Sequence, residues 1–310
     1  MDITEEGKST SIESYADPLL LNVISTTMRI LPRGRGMFAR WMGSRFSRYL
    51  SSCHLTTRYG AKLAIAPSSL DLIATAKIWD NAWEHWVYDS CKWVMPPNGV
   101  IYDIGANVGY IAVEMLHELP GCKGVLFEPQ PALAQALRRS VELNSLQDRA
   151  SLLEIALSDS SGMASLNLFR HDGHASLSNK DASIKQINVP TMTLDEAVHR
   201  LQLPLPDVIK IDVEGHEINV IDGGATVLKQ AKPNICFECS DNHQLLETKA
   251  RLARCGHYIY LHATGSYRPI KTLSNGDSLS GKTDILAIES SRRDQLPPSL
   301  QALFVKGSEI

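Results

Sequence analysis

From residue 100 onward, short apolar runs alternate with longer segments whose apolar positions recur every three or four residues. Short apolar runs are typical of buried parallel strands, and the longer period is typical of helices. This alternation predicts an α/β fold with a parallel sheet, right-handed crossovers and helices on both faces. The predicted strands are Val100–Ile104, Gly124–Glu128, Ala150–Ala156, Asp207–Asp212 and Asn234–Glu238, and the predicted helices are Tyr110–Leu119, Pro131–Asn144, Gly215–Lys229 and Asp241–Cys255.

Two segments depart from this alternation. Ser158–Asn188 is polar and predicts a hairpin or loop insertion, with a strand at Ala164–Phe169 and another at Gln186–Pro190. Near the end of the chain, Tyr258–His262 and Thr283–Glu289 flank a polar loop rich in Gly and Ser. Two strands joined in this way predict an antiparallel pair at one edge of the sheet.

The chain before residue 96 has a different character, and we predict an N-terminal extension over residues 1–95 and a ligand-binding domain over residues 96–310. The extension begins with a polar tail. It then has an arginine-rich segment, an extended pair at His54–Pro67 with Gly60 at the turn, and a tryptophan-rich helical cap within Ile78–Val94. Proline and glycine at positions 96–99 break the chain before the first strand of the domain.

The arginine-rich segment, residues 28–50, has six arginines and no acidic residue. Apolar side chains interleave with the arginines, many at three- or four-residue spacing, which predicts a basic amphipathic helix. One interpretation is contact with a membrane surface or an anionic partner. The other is a helix packed on the main domain, or on a second subunit in a homodimer, with its arginines solvated.

Composition restricts the class of protein. The chain has 310 residues, 44% of them hydrophobic, 21% charged, and a net charge of −3. These values are ordinary for a globular protein and give no general case for nucleic-acid binding. No run of roughly 18 apolar residues predicts a transmembrane helix, and no leader sequence is recognisable, so we expect a cytoplasmic protein. The six cysteines form no disulfide pattern and fit reduced thiols.

The first strand of the domain leads into a glycine turn, Asp103-Ile-Gly-Ala-Asn-Val-Gly-Tyr110. A glycine turn at a helix start lets backbone N–H groups approach a ligand. A dinucleotide site needs a third glycine, and a carboxylate at the strand end would repel a pyrophosphate. Such a carboxylate suits a ligand with ammonium and hydroxyl groups. S-adenosylmethionine has a sulfonium, an amino-acid tail and a ribose diol without phosphate, so we favour it over a dinucleotide.

The second strand ends at Glu128, in Phe127-Glu-Pro-Gln130. An acid at this position can accept hydrogen bonds from both ribose hydroxyls of an adenosine, a device that dinucleotide folds also use. Glu128 therefore supports an adenosine ligand without choosing between the two cofactors. Capping of the next helix is the alternative role for this side chain.

Several motifs occur together in a fixed order. They are Asp103–Tyr110, Phe127–Pro129, Ile155–Asp159, Thr193–Asp195, Ile209–Gly215 with Glu217, and Phe237–Glu238. In this combination the chain resembles the FkbM family of S-adenosylmethionine-dependent methyltransferases, over roughly Ser68 to Glu238. The resemblance implies a class I (Rossmann-like) fold with a seven-stranded, mostly parallel sheet and its last strand inserted antiparallel. It also implies O-methylation of a hydroxyl on a sugar, glycan or secondary metabolite.

The resemblance also assigns residues to the donor. Its methionine tail and ribose side are expected along the glycine turn, its ribose diol at Glu128, and its adenine against Ala156 and Leu157 just beyond the third strand. The full set of expected cofactor-binding residues is Asp103, Gly105, Ala106, Asn107, Gly109, Glu128, Pro129, Ala156, Leu157 and Asp212.

The catalytic candidates are Asp212, His216 and Glu238. Asp212 ends the fourth strand beside the expected methyl group. His216 at the next helix start is either the general base or a solvated helix residue. Asp212, Glu238 and Asp241 would permit a hard divalent cation, but the sequence does not require one, and we assign no metal ligand.

Three alternatives remain open. The acceptor group could be a carboxyl or amine on a similar small molecule or glycan. The same architecture also serves NAD-dependent oxidoreductases, although the absent third glycine and Asp103 argue against this. A non-catalytic scaffold of the same fold is the last alternative. The acceptor itself is not specified by the sequence.

Overall fold

The computed structural model describes residues 19–30, 35–66, 85–168, 175–177, 185–263, 270–273, 279, 281–296, 298 and 301. The predicted polar tail and the first part of the tryptophan-rich segment, including Trp79 and Trp83, lie outside these residues. The loop between the two last predicted strands is described only in part.

The described chain begins with helices and a short hairpin. Helices α1 (Leu19–Ile30), α2 (Arg35–Arg45) and α3 (Ser47–Leu50) are followed by the antiparallel pair β1 (His54–Thr56) and β2 (Lys62–Ala64), and then by α4 (His85–Trp93). Gly60 lies in the hairpin turn with φ of +94°, as predicted for the extended pair.

The rest of the described chain alternates strands and helices, except for two runs of consecutive strands. Its strands are β3 (Val100–Ile104), β4 (Lys123–Phe127), β5 (Ala150–Leu153), β6 (Ala156–Leu157), β7 (Gly162–Leu168), β8 (Ala175–Ser176), β9 (Lys185–Met192), β10 (Val208–Ile211), β11 (Asn234–Cys239), β12 (Tyr258–Ala263), β13 (Ile270–Thr272) and β14 (Thr283–Glu289). Its helices are α5 (Ala112–Glu118), α6 (Pro131–Leu143), α7 (Leu194–Leu201), α8 (Glu217–Asp222), α9 (Ala225–Ala231) and α10 (Asn242–Leu252). The runs of consecutive strands are β5 to β9 and β12 to β14.

The main sheet has the strand order β13-β12-β14-β11-β10-β3-β4-β5. Strands β5, β4, β3, β10 and β11 are parallel, and the last strand, β14, lies between β11 and β12 and is antiparallel to both. The class I (Rossmann-like) architecture that the resemblance implies is therefore confirmed. The short strand β13 extends the predicted seven strands by one at the edge.

Apolar side chains are buried on both faces of this sheet. Along β3, Ile101 packs into the core on one face, whereas Tyr102 and Ile104 pack into the core on the other. All four residues of β10 are buried. Burial on both faces explains why the strands read as continuous apolar runs in the sequence.

Two predicted elements are divided in the structure. The strand predicted at Ala150–Ala156 ends at Leu153, and β6 then joins a second sheet of order β6-β9-β7-β8. The helix predicted at Gly215–Lys229 is two helices, α8 and α9, separated at Gly223. A Cβ on Gly223 would lie 2.0 Å from the Ser158 carbonyl oxygen, so this backbone is pressed against the start of the insertion.

The N-terminal hairpin packs on the domain. The Ala64 amide donates to Ser140 Oγ at 2.9 Å, and the Lys62 amide donates to Asn144 Oδ1 at 2.9 Å, both on or next to α6. Leu63 and Tyr88 belong to the same apolar core as Leu126 of the main sheet. The hairpin and α4 therefore contribute side chains to the core of the main sheet. The predicted domain boundary between residues 95 and 96 stays a prediction. Within the described residues, no helix has the length and apolarity needed to cross a membrane.

The central position of β14 leads to a stability prediction. Leu286 is fully buried between β11 and β12. Replacing it with Ala should lower the free energy of unfolding by about 2–5 kcal/mol, because the lost side chain leaves a cavity. Leu246→Ala is the matched control, since Leu246 is exposed and should change stability by less than about 0.5 kcal/mol. Urea denaturation followed by circular dichroism measures both. Equal effects would contradict the central position of β14.

Candidate active site

The turn after β3 is pressed against the end of β10. Gly105 has φ of +78°, and a Cβ at this position would lie 2.0 Å from the Asp212 carbonyl oxygen. The Asp212 amide donates to the Ile104 carbonyl at 3.0 Å, which fixes the two strand ends side by side. Only glycine fits here, because the conformation and the close approach both exclude a side chain. The strand order changes direction at this place, as it does at ligand sites of open α/β sheets.

The backbone amides of the turn are occupied by the chain itself. The amides of Gly105 and Ala106 both donate to the Phe127 carbonyl at 3.0 Å. The Asn107 amide donates to Glu128 Oε2 at 2.9 Å, and the Gly109 amide donates to the Ala106 carbonyl at 2.8 Å. A phosphate-binding turn instead points such amides at its anion. These four donors are therefore not available to hold a phosphate.

Glu128 follows β4 and joins the ends of two neighbouring strands. Its Oε1 accepts the Gln130 amide at 2.8 Å, and its Oε2 accepts the Asn107 amide at 2.9 Å. Burial raises the pKa of this carboxyl to about 7, against the opposing effect of the two amides and Lys210. Each carboxylate oxygen can accept a second hydrogen bond, so Glu128 can still bind a pair of hydroxyl groups.

Lys210 occupies the space between the turn and the end of β10. Its buried Nζ donates to the Gly105 carbonyl at 2.9 Å, and it lies 3.3 Å from Asp103 Oδ1 and 3.6 Å from Asp212 Oδ2. Asp103 is fully buried, and its Oδ2 accepts the Ala112 amide at 3.2 Å. Asp103 thus stabilises the turn through its contacts with Lys210 and the Ala112 amide. Lys210 lies within the motif Ile209–Gly215, but the motif alone predicts no role for it.

A group of carboxylates lies at the ends of β10 and β11. Oxygens of Asp212, Glu214 and Glu238 all lie within 4.8 Å of one another, close enough for one divalent cation. The Lys282 ammonium lies 2.9 Å from Glu214 and 2.7 Å from Glu238. Asp241, which the sequence grouped with Asp212 and Glu238, instead caps α10, where its Oδ1 accepts the Gln244 amide at 2.9 Å.

The acidic group extends to Asp284, which faces Glu238 across the β11–β14 pair. Burial, followed by the charge of Asp212, raises the pKa of Glu238 to about 7. Burial, Asp212 and Glu238 raise the pKa of Asp284 to about 7. Lys282 and Asp284 belong to no motif that predicts a site in the sequence. The predicted antiparallel strand at Thr283–Glu289 was the signal, because its start must lie at the carboxyl edge of the parallel strands.

His216 lies at the start of α8 and is buried, so it is not a solvated helix residue. Its Nε2 lies 2.9 Å from Ser158 Oγ, at the end of β6. Burial lowers the pKa of the imidazole, although Asp159 opposes this change. A histidine whose pKa is lowered is neutral near pH 7 and can accept a proton.

The remaining cofactor candidates lie near the same edge. Ala156 and Leu157 form β6 and are buried where this strand pairs with β9. Ala106 is buried within the turn, and Pro129 is partly buried between β4 and α6. Their assignment to the donor stays a prediction.

Comparisons with known proteins identify similar sequences. Residues 103–259, a span of 157 of the 310 residues, match the family model of the methyltransferase FkbM domain. The 2-O-methyltransferase NoeI of Sinorhizobium fredii is 32% identical over 152 residues, covering 44% of this chain and 61% of that protein. The hexuronic acid methyltransferase AglP of Haloferax volcanii is 26% identical over 130 residues, covering 42% and 52%. The chain thus spans between half and two thirds of the length of these relatives.

Solved structures are more distant. The crystal structure of methyltransferase FkbM from Methylobacillus flagellatus has 14% sequence identity and a TM-score of 0.42, covering 82% of this chain and 59% of that chain. Precorrin-6y C5,15-methyltransferase from Geobacter metallireducens has 17% identity and a TM-score of 0.39, covering 66% and 87%. At these TM-scores the alignments add nothing to the strand order described above.

The close approach at Gly105 is testable by comparison with Gly215. Both have positive φ, +78° and +91°, but a Cβ on Gly215 would meet no atom within 4 Å. Gly215→Ala should therefore cost only the conformational strain, about 1 kcal/mol of unfolding free energy. Gly105→Ala should cost about 3 kcal/mol or more, since the collision with β10 adds to that strain. Chemical denaturation measures both values. Equal losses would show that the close approach is not the constraint.

Proposed function

The chain belongs to the FkbM methyltransferase family, and on this premise we propose that it transfers a methyl group from S-adenosylmethionine to a hydroxyl of a sugar, glycan or secondary metabolite. The turn after β3 carries the proposal. The amides of Gly105, Ala106, Asn107 and Gly109 already donate hydrogen bonds to other groups of the chain. The Glu128 carboxylate, at the end of β4, can still accept hydrogen bonds from a ligand. This arrangement suits a ligand with a ribose diol and no phosphate on the turn.

The charges near the turn support a cationic donor. Asp212, Glu214, Glu238 and Asp284 lie together at the strand ends, and their charge is compensated only in part by Lys210, beside Asp212, and by Lys282, beside Glu214 and Glu238. S-adenosylmethionine supplies an electrophilic methyl group on a sulfonium. In the proposed arrangement Glu128 binds the ribose hydroxyls, Ala156 and Leu157 flank the adenine, and Asp212 lies near the reacting centre.

The same edge of the sheet offers proton acceptors for an alcohol nucleophile. Efficient general bases have a pKa near the working pH, and the pKa of Glu238 is raised to about 7. The buried imidazole of His216 is the second acceptor, because its lowered pKa keeps it neutral. Positioning supplies much of the remaining rate, since displacement at a methyl carbon requires the acceptor oxygen in line. We assign Asp212 to positioning and Glu238 or His216 to proton transfer.

The name of one relative favours a carbohydrate acceptor. NoeI is named a 2-O-methyltransferase and AglP a hexuronic acid methyltransferase. The first name states transfer to an oxygen and the second names a sugar acid, so transfer to a hydroxyl of a sugar agrees with both. Because a hexuronic acid also has a carboxyl group, methylation of a carboxyl is the second candidate.

Ligand titration tests the proposed donor. Isothermal titration should show saturable binding of S-adenosylhomocysteine and none of NAD. Glu128→Ala should weaken S-adenosylhomocysteine roughly a hundredfold, because two hydrogen bonds to a charged acceptor are lost. Asp148→Ala, which removes an exposed acid outside the site, should leave the affinity unchanged. Binding of NAD alone would overturn the proposal, and binding of neither ligand would favour a scaffold.

The raised pKa of Glu128 predicts a pH dependence of binding. The ionised carboxylate is the stronger acceptor, so affinity for S-adenosylhomocysteine should rise as the pH rises through about 7 and then level off. Glu238 and Asp284 also titrate near this pH. The measurement is therefore the difference between the wild type and Glu128→Gln, which retains the size of the side chain but cannot ionise. The same pH profile in both proteins would exclude Glu128 as the titrating acceptor.

A further inference from the structure

The N-terminal helices present a surface that the candidate active site does not use. Helices α2 and α3 follow each other almost without interruption, because the Phe46 amide donates to the Met42 carbonyl at 3.0 Å and the Leu50 amide to the Phe46 carbonyl at 2.9 Å. Met42 and Leu50 are buried. Exposed side chains of this helical segment include Met37, Trp41, Arg45, Arg48 and Tyr49. We call these five residues the arm surface.

Large apolar side chains are exposed on the arm surface. The exposed fractions are 68% for Met37, 58% for Trp41 and 49% for Tyr49. Met37 and Trp41 lie one helical turn apart, so their side chains are neighbours on the same face. Exposed apolar groups that cluster in this way mark a site of contact with another molecule or a membrane.

The segment that contains the arm surface, residues 28–50, has only positively charged side chains among its ionised groups. Residues 28–50 contain six arginines and no acid. Arg45 and Arg48 are exposed, and neither forms an ion pair with a carboxylate among the residues that the structure describes. The Arg45 guanidinium lies 5.8 Å from the centre of the Phe46 ring. These positive charges are available to an anionic partner.

We propose that the arm surface binds an anionic lipid membrane, lying along its interface. Tryptophan and tyrosine side chains favour the headgroup level of a bilayer. At the same level, arginine guanidinium groups can bind lipid phosphates while the apolar part of the arginine side chain stays buried. A second copy of the chain fits less well. A two-fold contact would place the arm surface against itself and bring arginines together without an acid between them.

Vesicle co-sedimentation of the full chain tests this proposal. The protein should partition onto phosphatidylglycerol-containing vesicles, much less onto phosphatidylcholine alone, and less as salt is added. Arg45→Gln/Arg48→Gln should lower the partition coefficient roughly thirtyfold, because each arginine near the surface adds to the attraction. Lys123→Gln/Lys229→Gln is the matched control, since it removes two exposed charges from β4 and α9. It should leave partitioning unchanged.

Trp41 provides an independent measurement. Anionic vesicles should shift the tryptophan emission to the blue in the wild type, and Trp41→Ser should lose this shift, because the indole enters the interface. Equal partitioning onto neutral and anionic vesicles, or none onto either, would overturn the proposal. Light scattering measures whether the arm surface instead binds a second copy of the chain. A concentration-dependent dimer that Met37→Ser/Trp41→Ser abolishes, without vesicle binding, would assign the arm surface to a second copy instead.

Discussion

A buried lysine joins the two strand ends on which the candidate active site is built. Lys210 Nζ donates to the Gly105 carbonyl at 2.9 Å and lies 3.3 Å from Asp103 Oδ1 and 3.6 Å from Asp212 Oδ2. Lys210 and Asp103 have almost no contact with solvent, so either charge without the other would be strongly destabilising. One ammonium therefore fixes the turn after β3 relative to the end of β10. The close approach at Gly105 depends on this arrangement.

Negative charge dominates the site beyond this lysine. Burial and, after it, neighbouring acids raise the pKa values of Glu128, Glu238 and Asp284 to about 7. A cation bound among these groups would favour their ionised forms. The proposed donor has both a sulfonium and an ammonium group, so its binding would be coupled to loss of protons from the site. A neutral acceptor with hydroxyl groups would then meet ionised carboxylates that can accept its hydrogen bonds.

The sequence predicted the sheet because buried parallel strands have apolar side chains on both faces, and β3, β4, β10 and β11 all show this pattern. It predicted a glycine turn whose backbone N–H groups approach a ligand, whereas in the structure the close approach of β10 requires Gly105, and the Gly105 amide donates to the Phe127 carbonyl. It did not predict Lys282 and Asp284 at the site, since their position depends on the insertion of β14 between β11 and β12. The sequence also could not decide whether His216 is a general base or a solvated helix residue. Periodicity alone does not show that the imidazole is buried next to the Ser158 hydroxyl.

The hydrogen bonds of the turn give a physical reason for the proposed preference for a ligand without phosphate. The Phe127 carbonyl accepts the amides of both Gly105 and Ala106, which ties the turn to the end of β4. Glu128 is the next residue, so the same contacts fix its carboxylate against the Asn107 amide. The amides that a phosphate would need are therefore occupied, and the Glu128 carboxylate is fixed beside the turn. In a dinucleotide turn a second glycine stands two residues after the first, where the backbone approaches the pyrophosphate. Asn107 occupies that position here, and its amide donates to Glu128 instead.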